Sequence, residues 1–186
     1  RDLHSFPTRR SSDLRFDLYA VMKPAKEVGG DLYDFFMQGD SFYFCVGDVS
    51  GKGVPASMTM SVVVNLFRAV AKEGCPPEVI ANRLNDTLST DNENCVFVTM
   101  FIGVIDLKTG RLDFCNCGHN APILGQHRTH TSQTVFRYIE MEPNAPIGLW
   151  PELEFKGEHI DNIHDHSLFV YTDGVNEAAN SDQELI

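Results

Sequence analysis

Asp31 follows Gly29-Gly30, and Asp48 ends the apolar run Phe42-Tyr43-Phe44-Cys45-Val46. A turn at Gln38-Gly39-Asp40 between two alternating apolar segments predicts a hairpin that returns the second carboxylate beside the first. Two carboxylates that close repel each other unless a cation lies between them. Oxygen-only ligands at rigid strand ends suit Mg²⁺ or Mn²⁺. The competing reading is a pair of solvated turn aspartates. Three other groupings are weaker. Cys115, Cys117 and His119 have the types of a zinc site, but cysteines two apart on a strand read as small packing residues. His164-Asp165-His166 reads as an exposed connection. Gly51-Lys52-Gly53 departs from a phosphate-binding P-loop, because Gly47 is one residue too near and Gly53 stands where Ser or Thr is needed.

The elements that must position these residues follow from periodicity. Phe16–Met22 alternates as a half-buried strand, and Val28–Phe36 and Ser41–Val46 form the hairpin. Pro55 opens a helix in which Met58, Val62, Leu66 and Val70 recur, with Val63, Val64 and Phe67 beside them, so the helix is expected to be largely buried. Gly74 stops it. Ile80, Leu84 and Leu88 give a second helix, with Glu78 near its positive end. Val96–Leu107 and Arg111–Cys117 are strands joined through Lys108-Thr109-Gly110. Gly125–Thr134 reads as a loop with His127 and His130 in solvent, Phe136–Ile139 as β, and Ser167–Thr172 as a buried strand delivering Asp173. His119 ends a strand and has a supporting role.

Four segments together resemble the SpoIIE/RsbU branch of the PPM (PP2C-like) serine/threonine phosphatases. They are Pro24–Asp34, Gly47–Ala56, Gly118-His119-Asn120 and Tyr171–Val175, in the family's order and spacing. The resemblance implies an α+β fold, a PP2C-like α-β-β-α sandwich of two stacked, mainly antiparallel sheets flanked by helices. It implies two divalent cations, Mn²⁺ or Mg²⁺, held by Asp31, Asp48, the carbonyl of Val49, and Asp173, with Asp48 as the bridge. Asp34, His119, Asn120 and Glu177 stand behind them. The implied reaction is hydrolysis of phosphoserine or phosphothreonine on a bacterial signalling protein, an antagonist of an anti-sigma factor, by water activated between two metals. Neither a cysteine in a phosphate-cradling loop nor a serine in a nucleophile elbow competes with that proposal. An upstream sensor or receiver domain is expected in the parent protein. A further family aspartate falls beyond Ile186, so the chain reads as truncated. Two alternatives carry different chemistry. One is a regulatory binding module with the phosphatase fold but without catalysis. The other is a diguanylate-cyclase-like enzyme, suggested by Gly29-Gly30-Asp31 and opposed by Leu32-Tyr33.

Composition bounds these readings. The 186 residues are 42% hydrophobic and 22% charged, which supports one globular domain over residues 15–186 rather than disorder. Arg1–Leu14 has no period and is rich in Ser and Arg, so it reads as a tail or artefact. A net charge of −11 opposes nucleic acid as a partner and favours cations in a cleft. The apolar runs fall short of the roughly 20 residues that span a bilayer, so no direct membrane insertion is expected. Five cysteines without a C-x-x-C pair predict reduced thiols and a cytoplasmic location.

Overall fold

The computed structural model describes residues 16–22, 29–90, 92–128, 133–142 and 144–175. β1 (Asp31–Gln38) and β2 (Ser41–Val49) form the expected hairpin, turning at Gly39-Asp40. α1 (Val54–Ala71) carries Pro55 in its first turn, where a missing N–H costs no helical bond. α2 (Pro77–Ser89) carries Glu78 in its first turn. β3 (Val98–Asp106) and β4 (Leu112–Cys117) are joined by a tight turn in which the Asp106 carboxylate accepts the N–H groups of Lys108 and Thr109 at 2.8 and 2.9 Å. β5 (Ile123–Arg128), β6 (Gln133–Tyr138), β7 (Glu158–Ile160) and β8 (His166–Phe169) complete the described strands.

All pairings between these strands are antiparallel, in a five-stranded sheet ordered β1-β2-β3-β4-β7 and a three-stranded sheet ordered β6-β5-β8. The two-residue period of the strands sorts the large sheet's side chains into two cores. Leu32, Tyr43, Cys45, Met100 and Ile102 meet Val63, Phe67, Ile80 and Leu84 of the helices. Phe42, Phe44, Phe101 and Phe114 turn the other way and meet Leu124 and Leu168 of the small sheet. Phe44, Phe101 and Phe114 run as a ring ladder with centroids 6.0 and 5.5 Å apart. Each such buried ring contributes about 1.5–3 kcal/mol by leaving water. The layers are therefore helices, large sheet and small sheet, an α+β arrangement with stacked antiparallel sheets as expected.

Four expectations about elements are corrected. Phe16–Met22 has no ladder partner among the described residues; instead Phe16 packs its ring 4.9 Å from Phe42. Alternation marks a face to bury, and here side chains bury it without a strand. Gly125–Thr134 is not a loop, because β5 and β6 pair across most of it, from Gly125↔Phe136 to Arg128↔Gln133. A strand with one solvated face needs few apolar residues, which made this stretch look structureless. His130 lies outside the described residues. α1 is half-exposed: Val54, Met58 and Val62, spaced four apart, face away from the sheet at 62, 66 and 53% exposure. The helix is long and apolar enough to cross a membrane by length and composition, yet Ala56, Val63, Phe67 and Val70 on its other side are buried in the helix–sheet core. Lastly, β8 is no buried strand. It alternates between half-buried and exposed residues and pairs with β5, and Asp173 lies beyond its end in a 3-10 turn, Asp173–Val175.

Candidate metal centre

The hairpin register places Asp31 opposite Asp48, and the next ladder places Asp48 opposite Thr99 on β3. Residues paired across an antiparallel ladder share a face. Counting by twos from Phe42 and Phe44 puts Asp48 on the face toward the small sheet. Asp173 arrives there from the other sheet, after β8. One carboxylate oxygen from each of Asp31, Asp48 and Asp173 lies within 4.8 Å of the other two. Asp31 and Asp48 are half-buried, and Asp173 is exposed.

Such crowding shows in the acidities of Asp31 and Asp48. Burial, followed by the charges of Asp31 and Asp173, pushes the Asp48 carboxyl up to about 6, against a weaker pull from the Val49 N–H. Asp31 is also raised, first by burial and then by Asp173, while a hydrogen bond from the Thr172 side chain opposes the shift. Asp31 and Asp48 are therefore short of positive charge, and the donors are hard oxygens on one open side. This is the donor chemistry of a Mg²⁺ or Mn²⁺ site. The backbone fits the same purpose. A Cβ on Gly30 would lie 2.5 Å from the Val49 carbonyl oxygen and 2.8 Å from Asp48 Oδ1, so only glycine lets β1 approach there. Val49 N–H donates to the Gly30 carbonyl at 3.1 Å, and Ser50 N–H to the Phe97 carbonyl at 2.8 Å, which fixes the strand end bearing the Val49 carbonyl.

The residues expected behind the ligands separate. Asp34 lies on the opposite face of β1 and pairs with Arg68 of α1, whose Nε donates to Oδ2 at 2.7 Å and whose terminal nitrogen pairs with Oδ1. It therefore ties helix to sheet and does not support the centre. Its odd spacing from Asp31 on a strand is the signal that was missed. His119 does lie at the centre's edge, buried, with Nδ1 3.2 Å from Thr99 Oγ1 and within reach of the Asp173 charge. Asn120 has its amide nitrogen buried without a partner among the described residues. Glu177 lies outside the described residues. Thr99 and Thr172 are the functional residues that sequence reasoning did not single out. Thr172 sits beside Asp173 in a segment already noted, whereas Thr99 becomes visible only through the β2–β3 register.

Cys115 and Cys117 are buried with sulfurs 3.7 Å apart, and all five cysteines are free. His164 and Asp165 sit in an exposed turn, with Asp165 at φ 59° and His164 N–H donating to Asn162 Oδ1 at 2.7 Å.

Comparison with known proteins follows the same lines. The family model described as Stage II sporulation protein E (SpoIIE) matches residues 38–186. The phosphoserine phosphatase RsbU of Bacillus subtilis (strain 168) is 22% identical over 173 residues, covering 91% of this chain and 49% of that protein. Among solved structures, the RsbU and RsbW domains of Rv1364c from Mycobacterium tuberculosis align with TM-score 0.72 and 25% identity, over 85% of this chain and 42% of that one. RsbX, solved in complex with magnesium, aligns with TM-score 0.66 and 18% identity, over 85% of this chain and 73% of that one. The chain spans between 30% and 49% of the length of three curated relatives it matches.

Proposed function

The chain belongs to the SpoIIE family, a branch of the PPM (PP2C-like) phosphatases, and from that premise we propose that it hydrolyses phosphoserine or phosphothreonine on a protein by metal-assisted attack of water. The observation that carries this reading is the meeting of Asp31, Asp48 and Asp173 from two sheets within 4.8 Å. Asp31, Asp48, Asp173 and the Val49 carbonyl would hold two divalent cations, Mn²⁺ or Mg²⁺, with Asp48 shared between them. When bound, such ions supply a nucleophile from water at neutral pH and neutralise charge on the phosphoryl oxygens. The protein's own part is to hold the carboxylates in place. The β1–β2 ladder fixes Asp31 against Asp48, and the Thr172 hydroxyl orients Asp31 from the other sheet. Competing covalent chemistry is disfavoured at the buried thiols, because burial pushes Cys45 and Cys117 well above the usual thiol range and leaves little nucleophilic thiolate.

A cleft between Ser50-Gly51-Lys52, Pro55 and Asn94–Phe97 opens beside the Val49 strand end. It offers the peptide around a phosphoserine a partly apolar wall and the Lys52 cation. The name of the RsbU relative supports phosphoserine as the target. The joining of RsbU and RsbW domains in Rv1364c supports a regulatory phosphoprotein, an anti-sigma-factor antagonist, as the substrate. The greater length of the relatives supports a sensor or receiver domain elsewhere in the parent protein. Free thiols agree with a cytoplasmic setting. The deciding experiment is hydrolysis of p-nitrophenyl phosphate and of a phosphoserine protein by the full protein, with Mn²⁺, with Mg²⁺ and after chelation. Turnover that stops on chelation and returns with Mn²⁺ supports the reading. Partner binding without turnover in any metal would leave a non-catalytic module of the same fold.

A further inference from the structure

His119 is a buried ionisable group at the edge of the acidic cluster, and the proposed reaction gives it no part to play. It is 8% exposed, and Nε2 makes no hydrogen bond of full geometry among the described residues, although the Tyr171 carbonyl acts on the ring. A buried polar atom left unmet costs on the order of 1–3 kcal/mol, so its placement calls for an explanation. The placement is closely fixed. Gly118, at φ 67°, turns the chain where a Cβ would strike the Pro146 ring at 2.8 Å. The Asn116 side chain then clamps the His119 backbone, accepting its N–H at 2.7 Å and donating to its carbonyl at 2.9 Å.

The ring of His119 touches both halves of the centre. Thr99, which faces Asp48 across the β2–β3 ladder, meets Nδ1 at 3.2 Å. On the other side, the Tyr171 carbonyl and the Asp173 charge act on the ring, and both belong to the segment leaving the small sheet. Because Nε2 is closed to solvent, a substrate oxygen cannot reach it, and proton delivery to a leaving group is not its role. Burial holds the ring's pKa down at about 4, so at neutral pH it brings no positive charge to compete with a cation. A neutral imidazole has one donor and one acceptor. The tautomer in which the Thr99 hydroxyl donates to Nδ1 puts the proton on Nε2, for which the Tyr171 carbonyl is the backbone acceptor that acts on the ring.

We propose that His119 is a positioning residue that joins Thr99 on the large sheet to the Tyr171–Asp173 segment after the small sheet, and so sets the reach of the Asp173 carboxylate toward a divalent cation. The inference rests on the metal-centre reading above. It gives Asp173 two ties to the large sheet, His119 on one side and the Thr172 to Asp31 hydrogen bond on the other.

The test compares His119→Ala, His119→Gln and Thr99→Val with the unsubstituted full protein, with Asp48→Asn as the reference. Mn²⁺ affinity is read by calorimetric titration and fold integrity by thermal melting. Glutamine keeps an amide donor near the place of Nε2. The expected result is that His119→Ala loses about tenfold or more in Mn²⁺ affinity, in the range for partners of metal ligands. His119→Gln should recover most of that loss, at a melting temperature close to that of His119→Ala. A merely structural role would instead make affinity follow melting temperature across the series. Mn²⁺ affinity in His119→Ala within about twofold of the unsubstituted protein, or equal losses in the Ala and Gln variants, overturns the proposal. If His119→Ala does not fold, Thr99→Val decides instead: weakened Mn²⁺ binding in a folded protein supports the proposal, and undiminished binding overturns it. If Asp48→Asn binds Mn²⁺ undiminished, the metal-centre reading itself has failed, a result distinct from the failure of His119 alone.

Discussion

Asp31 and Asp48 sit directly opposite each other on β1 and β2, so the hairpin holds two like charges together on one face. That arrangement costs stability in the absence of a cation. An aspartate raised from 3.8 to about 6 contributes stability that is fully present below pH 4 and is lost as pH rises through about 6. Asp48→Asn removes the ionised form. In metal-free protein it should therefore raise the melting temperature at pH 7.5 and change it little near pH 4. Solvent screening at a half-buried carboxylate reduces the effect to on the order of 1 kcal/mol, or about 2–4 °C for a chain of this length. The same variant should lose metal-dependent phosphatase turnover by about 10²-fold or more, in line with loss of a principal electrostatic group. Melting curves at both pH values and a Mn²⁺ activity assay check the pair of outcomes. Near-normal turnover at saturating Mn²⁺ would reject Asp48 as the shared ligand.

Metal affinity should fall on acidification for the same reason. Below about 6 the Asp48 carboxyl is mostly protonated, and a cation must displace that proton. Mn²⁺ affinity is expected to be nearly flat above pH 7 and to weaken by up to about tenfold per pH unit below 6. Calorimetry in buffers of different ionisation enthalpy will show proton release at pH 5.5 and much less at pH 7.5. Affinity independent of pH between 5 and 7 would mean that Asp48 is not a ligand.

Gly30→Ala should damage the centre through the backbone. The new Cβ would need to move the Val49 carbonyl, which is backbone and only 2.5 Å away, and would also displace the Asp48 carboxylate oxygen at 2.8 Å. A destabilisation of about 1–3 kcal/mol is expected, with a loss of Mn²⁺ affinity that raised metal concentration only partly restores. Gly39→Ala serves as the control, since its added Cβ meets no atom within 4 Å and Gly39 lies at the far end of the hairpin, though its φ of 62° still carries some strain. Equal Mn²⁺ affinity in the two variants would show that the close approach at Gly30 is irrelevant to the site.

Removing Arg1–Leu14 should leave the melting temperature within about 2 °C, because that stretch has no periodic apolar face to add to either core. Differential scanning calorimetry of the two chain lengths decides it. A fall of more than about 5 °C would place part of the domain's stability in those residues.

The hairpin and its two aspartates were legible in sequence because their signals are local: alternation on both sides of a Gly-Asp turn fixes register, and register fixes which residues face each other. The helices, and the β3–β4 turn at Gly110, were legible for the same reason. What depends on neighbours was not. The apolar residues of α1 do not tell which of its sides finds a sheet, so a largely buried helix was expected although Val54, Met58 and Val62 lie outside. β5 and the start of β6 were hidden because Gly125–Thr134 carries almost no apolar residues, whereas the later part of β6 was already read as β. Asp34 is the instructive error, since the alternation that paired Asp31 with Asp48 also turns Asp34 toward Arg68, and strand period alone could have removed it from the site. The His119–Thr99 contact is legible only once β2, β3 and β4 are in register.

Gly39-Asp40 closes a two-residue link, so the hairpin bearing Asp31 and Asp48 can form within microseconds from residues close together in the chain. Asp173 arrives much later, because its strand pairs with β5 only after a long stretch of sequence has been made and folded. During synthesis, which delivers the chain from its N-terminus, the first two carboxylates therefore emerge well before the third. A nascent chain at that stage carries two of the three carboxylates of the cluster, and the third joins them only when the segment beyond β8 docks.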